Sequence, residues 1–197
     1  MSKARYDDIA QHYDAAIQPL QRWFLAHLRK KTFRWLPESG RLLEVGAGTG
    51  LNFVFYPTDT RGVATDPSTE MLRFAKGKEK PAGVRLVQSC GESLPFKDDS
   101  FDAAVATLVF CSVASPRRSF AELQRVVKSG GTIVLLEHVR PNGALGPVFD
   151  LINRITVPLF DDHFNRRTVD EARAAGLELR SVEASHMGIM NIITCKV

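Results

Sequence analysis

Two rhythms of apolar residues alternate along this chain: short continuous runs of strand length, and stretches where apolar positions recur at helical spacing. The runs at 42–46, 62–65, 84–87, 101–108 and 132–136 predict five strands, the fourth apolar enough to be buried on both faces. A short helix is expected after Thr49, ending before Pro57. Another opens at Ser68 and Thr69, carries Met71, Leu72 and Ala75, and stops near Gly77. A third has Ser115 as N-cap and Pro116 as first residue, places Phe120, Leu123 and Val127 on one face, and ends at Gly130 and Gly131. Thr168 to Glu171 reads as a capping box whose helix stops at Gly176. Two last strands, 177–184 and 189–197, turn near Gly188, close enough in sequence to pair antiparallel. Strands alternating with helices predict a doubly wound α/β sheet of seven strands, mostly parallel, with a C-terminal antiparallel hairpin. Two helical stretches precede it, Tyr6 to Ile17 and Leu20 to Arg34.

The first strand runs through Glu44 into a loop with glycines at 46, 48 and 50. A strand that stops in such a loop lets a ligand approach the backbone without meeting a Cβ. About 20 residues beyond Gly46 the second strand ends in Asp66, where a ribose-binding carboxylate would sit. Both acids fall at carboxyl ends of strands, the usual ligand edge of an open parallel sheet. Dinucleotide sites space their glycines G-x-G-x-x-G and set a helix N-terminus against a pyrophosphate. Here the order is Gly46-x-Gly48-x-Gly50 behind Glu44, whose carboxylate would repel phosphates and favour an ammonium group. S-adenosylmethionine fits that chemistry: a ribose for Asp66, an α-amino group near the loop, and a sulfonium in place of phosphates.

The length of 197 residues suits one domain. Lid helices are expected in 1–40, a cofactor-binding core in 41–140, and an acceptor-side lid with the hairpin in 141–197. A hydrophobic content of 44% and charged content of 24% are those of a soluble globular protein. The net charge of +4 is compatible with anionic surfaces. No dense Lys/Arg stripe with interleaved aromatics appears, so no nucleic-acid partner is expected. Cys90, Cys111 and Cys195 lack C-x-x-C spacing and read as reduced thiols rather than a disulfide framework or zinc site. The N-terminus lacks the apolar core of a signal peptide, and no run approaches the roughly 18 residues of a membrane span. A cytoplasmic protein is expected. The stretch Leu20 to Arg34 sets Leu20, Trp23, Phe24 and Leu28 against Arg22, Arg29, Lys30, Lys31 and Arg34. Two readings stay open: peripheral contact of residues 19–35 with an anionic membrane, or a lid helix with a solvated basic face.

The segments LLEVGAGTG (42–50), VATDPSTEML (63–72), CGESLPFKDDSFDAAVATLVFCSV (90–113) and LQRVVKSGGTIVLLEHV (123–139) resemble class I S-adenosylmethionine-dependent methyltransferases over nearly the whole chain. That resemblance implies a Rossmann-like fold, and the seven-strand count favours it over a dehydrogenase. GLNFVFYP (50–57), ATLVFCSV (106–113) and LLEHVRP (135–141) are similar to the small thiol methyltransferases of the mammalian methyltransferase-like group and their bacterial relatives. Those mammalian proteins carry an N-terminal hydrophobic anchor, and a chain without one is expected here. The wording of 92–102 is shared with quinone-biosynthesis C-methyltransferases, and bacterial phospholipid N-methyltransferases are similar in size. The resemblance implies S-adenosylmethionine as cofactor, S-adenosylhomocysteine as product, and a small-molecule acceptor. A thiol or sulfide leads; a phospholipid amine or a quinone-type carbon is the alternative. It also implies that Glu44, Gly46, Ala47, Gly48 and Gly50 hold the methionine moiety and that Asp66 takes the ribose hydroxyls. Pro67 and Met71 would pack by the adenine, Gly91 and Glu92 would meet its amino group, and Thr107 and Leu108 would line the transferring methyl. Tyr13 would close over the methionine carboxylate.

His138, just past strand five on the ligand edge, is the leading candidate base, with a loop-supporting hydrogen-bonded histidine as the other reading. Asp161 and Asp162, with His163, follow Pro158 in a segment expected to be irregular, where they would orient or deprotonate an acceptor or simply cap the loop. Asn165, Arg166 and Arg167 bind an anionic group or are solvated. Cys111 reads as a small buried residue rather than a nucleophile. No grouping of His, Asp or Glu has metal-ligand spacing, so no metal is expected.

Overall fold

The computed structural model describes residues 3–141, 143, 145–160, 163–185 and 188–197. Strands β1 (Arg41–Val45), β2 (Arg61–Asp66), β3 (Val84–Gln88), β4 (Phe101–Thr107), β5 (Val127–His138), β6 (Glu178–Ser185) and β7 (Met190–Lys196) form one sheet in the order β3-β2-β1-β4-β5-β7-β6. Pairing is parallel from β3 through β5, while β7 lies antiparallel between β5 and β6. The expected doubly wound sheet and its terminal hairpin are both present. Strand order reverses beside β1, whose neighbours are β2 and β4, and a ligand crevice opens at such a reversal.

Alternation along the central strands feeds two cores. Leu43 and Val45 face one side with Phe110, Phe120, Leu123 and Ile133. Leu42 faces the other, with Phe53, Tyr56, Ala75, Ala103 and Val105. Each Val, Leu, Ile or Phe among them contributes roughly 1.5–3 kcal/mol when fully buried.

Several boundaries differ from the sequence expectation for identifiable reasons. The N-terminal stretches are one helical run: α1 (Lys3–Leu20), a π-helical turn at Gln21–Leu25, and α2 (Ala26–Phe33). Pro19 lies inside α1 and removes an N–H from its ladder, and the next turn takes wider π bonding instead of breaking. Leu25 and Leu28 pack against Val134, Leu136, Met190 and Ile192, while Leu20 and Trp23 stay exposed. The helix expected after Thr49 is a single 3-10 turn, Phe53–Phe55.

Helix α3 (Thr69–Lys76) is capped by Ser68, whose hydroxyl accepts from the Met71 N–H, and α4 (Pro116–Val126) is capped by Ser115, as expected. After α4 the chain turns directly into β5 at Val127. The register shift between Phe101 and Ala103 absorbs the extra residues through Gly130 and Gly131, which lie inside this strand and do not end the helix. The segment after β5 contains an unanticipated helix, α5 (Leu145–Phe160). In α6 (Thr168–Ala174) the N-cap position is Arg167, which makes no side-chain cap bond, so the expected capping box is not formed. No helix among the described residues is long and apolar enough to cross a membrane.

Candidate active site

Three strand ends meet at the reversal point. The loop after Val45 carries Gly46 and Gly48 at φ of +71° and +55°, a region that favours glycine. A Cβ on Gly46 would lie 2.3 Å from Val109 Cγ2, whereas one on Gly48 would meet nothing within 4 Å. Gly46 thus permits close packing of the loop on the chain after β4, and Gly48 leaves the cavity open above its backbone. Gly46→Ala is therefore expected to destabilise the fold by several kcal/mol, on the scale of overpacked core sites. Gly48→Ala is expected to keep the fold at about 1 kcal/mol of strain and to lose nucleoside binding. Thermal melts with and without S-adenosylhomocysteine separate the two. Beyond Gly50 the chain makes turns and the single 3-10 turn, so no α-helix N-terminus faces this loop.

Asp66 closes β2 and is 3% exposed. Its Oδ2 accepts from the Gly48 N–H at 2.9 Å and its Oδ1 from the Ser68 N–H at 2.9 Å. Burial pushes its pKa up to about 6, against the two backbone donors that pull it down and with Asp7 adding repulsion.

Behind the loop sits a buried cation. Arg29 of α2 donates to Asn52 Oδ1 at 2.7 Å and Thr107 Oγ1 at 2.6 Å through Nη1, and to Gln21 Oε1 at 3.1 Å through Nε. Its guanidinium also lines the cavity. Burial lowers the Arg29 pKa, opposed by Tyr13, Glu44 and Glu137. Glu44, fully buried, accepts from the Asn52 amide and the Tyr56 hydroxyl, and Asn52 also donates to Thr107 Oγ1 at 2.9 Å. Burial raises the Glu44 pKa, while Tyr56, Asn52 and Arg29 hold it down. The expected direct role for Glu44 against a ligand does not match its placement. Its carboxylate is not part of the cavity wall; it anchors Asn52 and compensates Arg29.

Helix α1 covers the mouth. Asp7 Oδ1 accepts from Ser68 Oγ at 2.5 Å and the Glu70 N–H at 3.1 Å, and Asp14 takes Thr49 Oγ1 and Lys78 Nζ, both at 2.5 Å. Tyr6 Oη and Ser112 Oγ share a hydrogen bond of 2.9 Å. Tyr13 lines the cavity, and burial pushes its phenol pKa up while Arg29 draws it down. The cavity volume is about 50 Å³, against roughly 300–1,000 Å³ for sites that hold small molecules.

Residues 43–135 match the methyltransferase domain family. The chain is also similar to a ubiquinone/menaquinone biosynthesis C-methyltransferase of Syntrophotalea carbinolica, 32% identical over 164 residues, which covers 78% of this chain and 68% of that protein. The chain belongs to the class I S-adenosylmethionine-dependent methyltransferases. Within that family it is similar to a thiol S-methyltransferase of Rattus norvegicus, 34% identical over 149 residues, 70% of this chain and 61% of that protein. A phosphatidylethanolamine N-methyltransferase of Cereibacter sphaeroides is 37% identical over 114 residues, 55% of this chain and 56% of that protein. The chain therefore spans less than two-thirds of the length of the thiol methyltransferases it matches. A solved S-adenosylmethionine-dependent methyltransferase of Thermotoga maritima, described as a possible histamine N-methyltransferase, shares the fold. Its TM-score is 0.72 at 24% identity, with 98% of each chain covered.

The remaining expected site residues of this methyltransferase domain divide clearly. Ala47, Met71, Thr107 and Leu108 line the cavity with Tyr13, Gly46, Gly48 and Asp66, whereas Gly50, Pro67, Gly91 and Glu92 are not part of its wall. Gly50 packs on Phe53, and Gly91 lies against Val45 and Ser119. Glu92 Oε1 accepts from the N–H groups of Ala114 and Ser115, so its carboxylate supports the start of α4. Leu108 has a φ of +59°, a strained value for a branched residue. It is held by its N–H to the Leu136 carbonyl at 2.7 Å and by Glu137, which accepts from the N–H groups of Val109 and Phe110. His138 stacks on Phe164 at 4.3 Å and is outside the wall. Asp161 and Asp162 lie outside the described residues. The sequence reading missed Arg29, Asn52, Tyr6 and Ser112. For Arg29 a signal existed: it falls on the 25-28-29-32-33 stripe, which is otherwise a buried helix face. Among the described residues no cluster of three His, Cys, Asp or Glu could hold a metal.

Proposed function

We propose that this protein transfers a methyl group from S-adenosylmethionine to a small-molecule acceptor, with a thiol or sulfide first among acceptors. One arrangement carries the proposal: buried Asp66 and buried Arg29 flank the open backbone of Gly48 in one cavity. Asp66 would take the ribose hydroxyls, Arg29 the methionine carboxylate, and Met71 the adenine face. Gly46, Ala47 and Gly48 would pass the amino-acid chain close to the backbone. With Asp66 and Glu44 ionised against Arg29, the cluster carries a net −1 charge. That complements a sulfonium amino acid of net +1 and opposes a pyrophosphate.

Bound there, S-adenosylmethionine supplies an electrophilic methyl whose leaving group is a neutral thioether, so no acid is needed on that side. The chain's contribution is alignment and exclusion of water, worth up to about 7–11 kcal/mol. Thr107 and the strained Leu108 would shape the wall beside the methyl, and Tyr6 and Tyr13 would close it. Among the described residues the wall includes neither histidine nor lysine. A thiol, with a pKa near 8.5, is already partly ionised at neutral pH and tolerates that lack. A phospholipid amine must shed a proton and a quinone-type carbon needs stronger activation. These remain the alternatives, and either would require His138, or Asp161 or Asp162, as base.

The test is S-adenosylhomocysteine release with a panel of alkyl thiols, phosphatidylethanolamine and quinols, using wild type and His138→Ala. Turnover with thiols that survives His138→Ala within about tenfold is expected, since a general base contributes 10²–10⁴-fold. Turnover confined to amines or quinols, or abolished by His138→Ala, would overturn the acceptor assignment.

A further inference from the structure

Helix α5 turns an apolar face outward. Val148, Leu151, Ile152 and Ile155 are 49%, 60%, 38% and 60% exposed, and their spacing places them on one face. Asp150, Asn153 and Thr156 lie with Phe149 and Val157 on the half-buried face. Among the described residues α5 makes no extensive contact with any other helix or strand. It is tethered by polar groups instead: Asp150 accepts from Arg140 at 3.0 and 2.8 Å and from Asn165 at 3.2 Å. We propose that the outward apolar face of α5 docks this protein on an anionic lipid bilayer.

Charge and area on the helix both select that occupant. The acid Asp150 is neutralised by Arg140, while Arg154 is exposed and has no acidic partner among the described residues. An apolar stripe with an exposed cation, on a chain of net charge +4, complements an anionic interface. The four partly exposed aliphatic side chains fall well short of the ~800 Å² per partner in a stable dimer. A bilayer sets no such minimum, because acyl chains mould to the stripe. The helix follows β5 at the carboxyl edge of the sheet, so docking would place the cavity's side of the molecule toward the lipid. On the N-terminal run Leu25, Leu28 and Phe33 are buried, which leaves Leu20 and Trp23 as the exposed pair that the experiment below compares with α5.

The experiment is flotation of the full chain with vesicles of phosphatidylglycerol and phosphatidylcholine, and with phosphatidylcholine alone. Wild type is expected to float with the anionic vesicles. L151S/I155S is expected to lose at least tenfold in partitioning, and Arg154→Glu to lose binding to the anionic vesicles selectively. A melt of each variant reports folding, and both changes lie on an exposed face. L20S/W23S, on the N-terminal run, is expected to float like wild type. Failure of wild type to float, flotation of L151S/I155S at the wild-type level, or its loss in L20S/W23S instead would overturn the proposal. So would a wild-type dimer in sedimentation that becomes monomeric in L151S/I155S, which would assign the stripe to a second copy. The outcome does not depend on methyl transfer, so it stands or falls apart from the acceptor assignment.

Discussion

Asp66→Ala is expected to weaken S-adenosylhomocysteine binding by 10²–10⁴-fold while the protein stays folded. The figure follows from two charge-assisted hydrogen bonds to ribose hydroxyls at about 1.5–3 kcal/mol each. The fold survives because the two amides that lose an acceptor, Gly48 and Ser68, flank the cavity and α3, and because a desolvated carboxylate disappears with the substitution. A pH signature accompanies it. With the Asp66 pKa at about 6, wild-type affinity should be flat above pH 7 and fall about tenfold by pH 5, as the carboxylate protonates. The alanine variant should lose that dependence. The stability sign is opposite to that of a salt-bridged acid. A carboxyl raised from 3.8 to about 6 favours the folded state most below pH 4 and loses that advantage between pH 4 and 6. This costs the apoprotein on the order of 3 kcal/mol at neutral pH. Calorimetric titration across pH 5–8 checks the binding slope, and a wild-type affinity independent of pH would contradict the assignment.

Arg29→Ala is expected to be the most damaging single change for stability. It removes three side-chain bonds and takes away the nearby cation whose field holds the Glu44 pKa down, leaving that buried carboxylate with its Asn52 and Tyr56 donors alone. Breaking one side of a buried charge pair costs about 3–5 kcal/mol, or a fall in Tm of roughly 10–15 °C at this chain length. Glu44 already has a raised pKa, so the variant should recover part of the loss as pH falls and the orphaned acid protonates. Pairing Arg29→Met with Glu44→Gln removes both charges and should restore much of the stability without restoring binding. Selectivity reports on the ligand contact itself. Wild type should prefer S-adenosylhomocysteine to 5′-methylthioadenosine, which lacks the amino acid, and the double variant should lose that preference. Unchanged selectivity would show that Arg29 is structural only.

What could be read from the chain alone was what local pattern encodes. The apolar runs located all seven strands, most plainly β1, β2, β4 and β7, because a strand buried on both faces needs a continuous apolar segment. The place of Asp66 in the cavity wall was legible because it closes β2 at the carboxyl edge of the sheet. Glu44 was misplaced because strand parity went unused: it shares a face with Leu42, and that face turns toward Phe53 and Tyr56. Arg29 was not legible as a cavity residue, since its partners Asn52 and Thr107 lie 23 and 78 positions away. Glu92 follows β3 where the family resemblance expects an adenine contact, but the nearby start of α4 claims its carboxylate. Helix α5 escaped notice because Gly146, Pro147 and Pro158 mark a breaker-rich segment and its apolar face does not meet a core.

The central claim is that the crevice at Gly48 binds a sulfonium nucleoside and refuses a pyrophosphate. Isothermal titration of the folded wild-type chain with S-adenosylhomocysteine and, separately, with NAD tests it directly. One site for S-adenosylhomocysteine and no heat with NAD is the predicted result; binding of NAD, or no binding of S-adenosylhomocysteine at millimolar concentration, would contradict it.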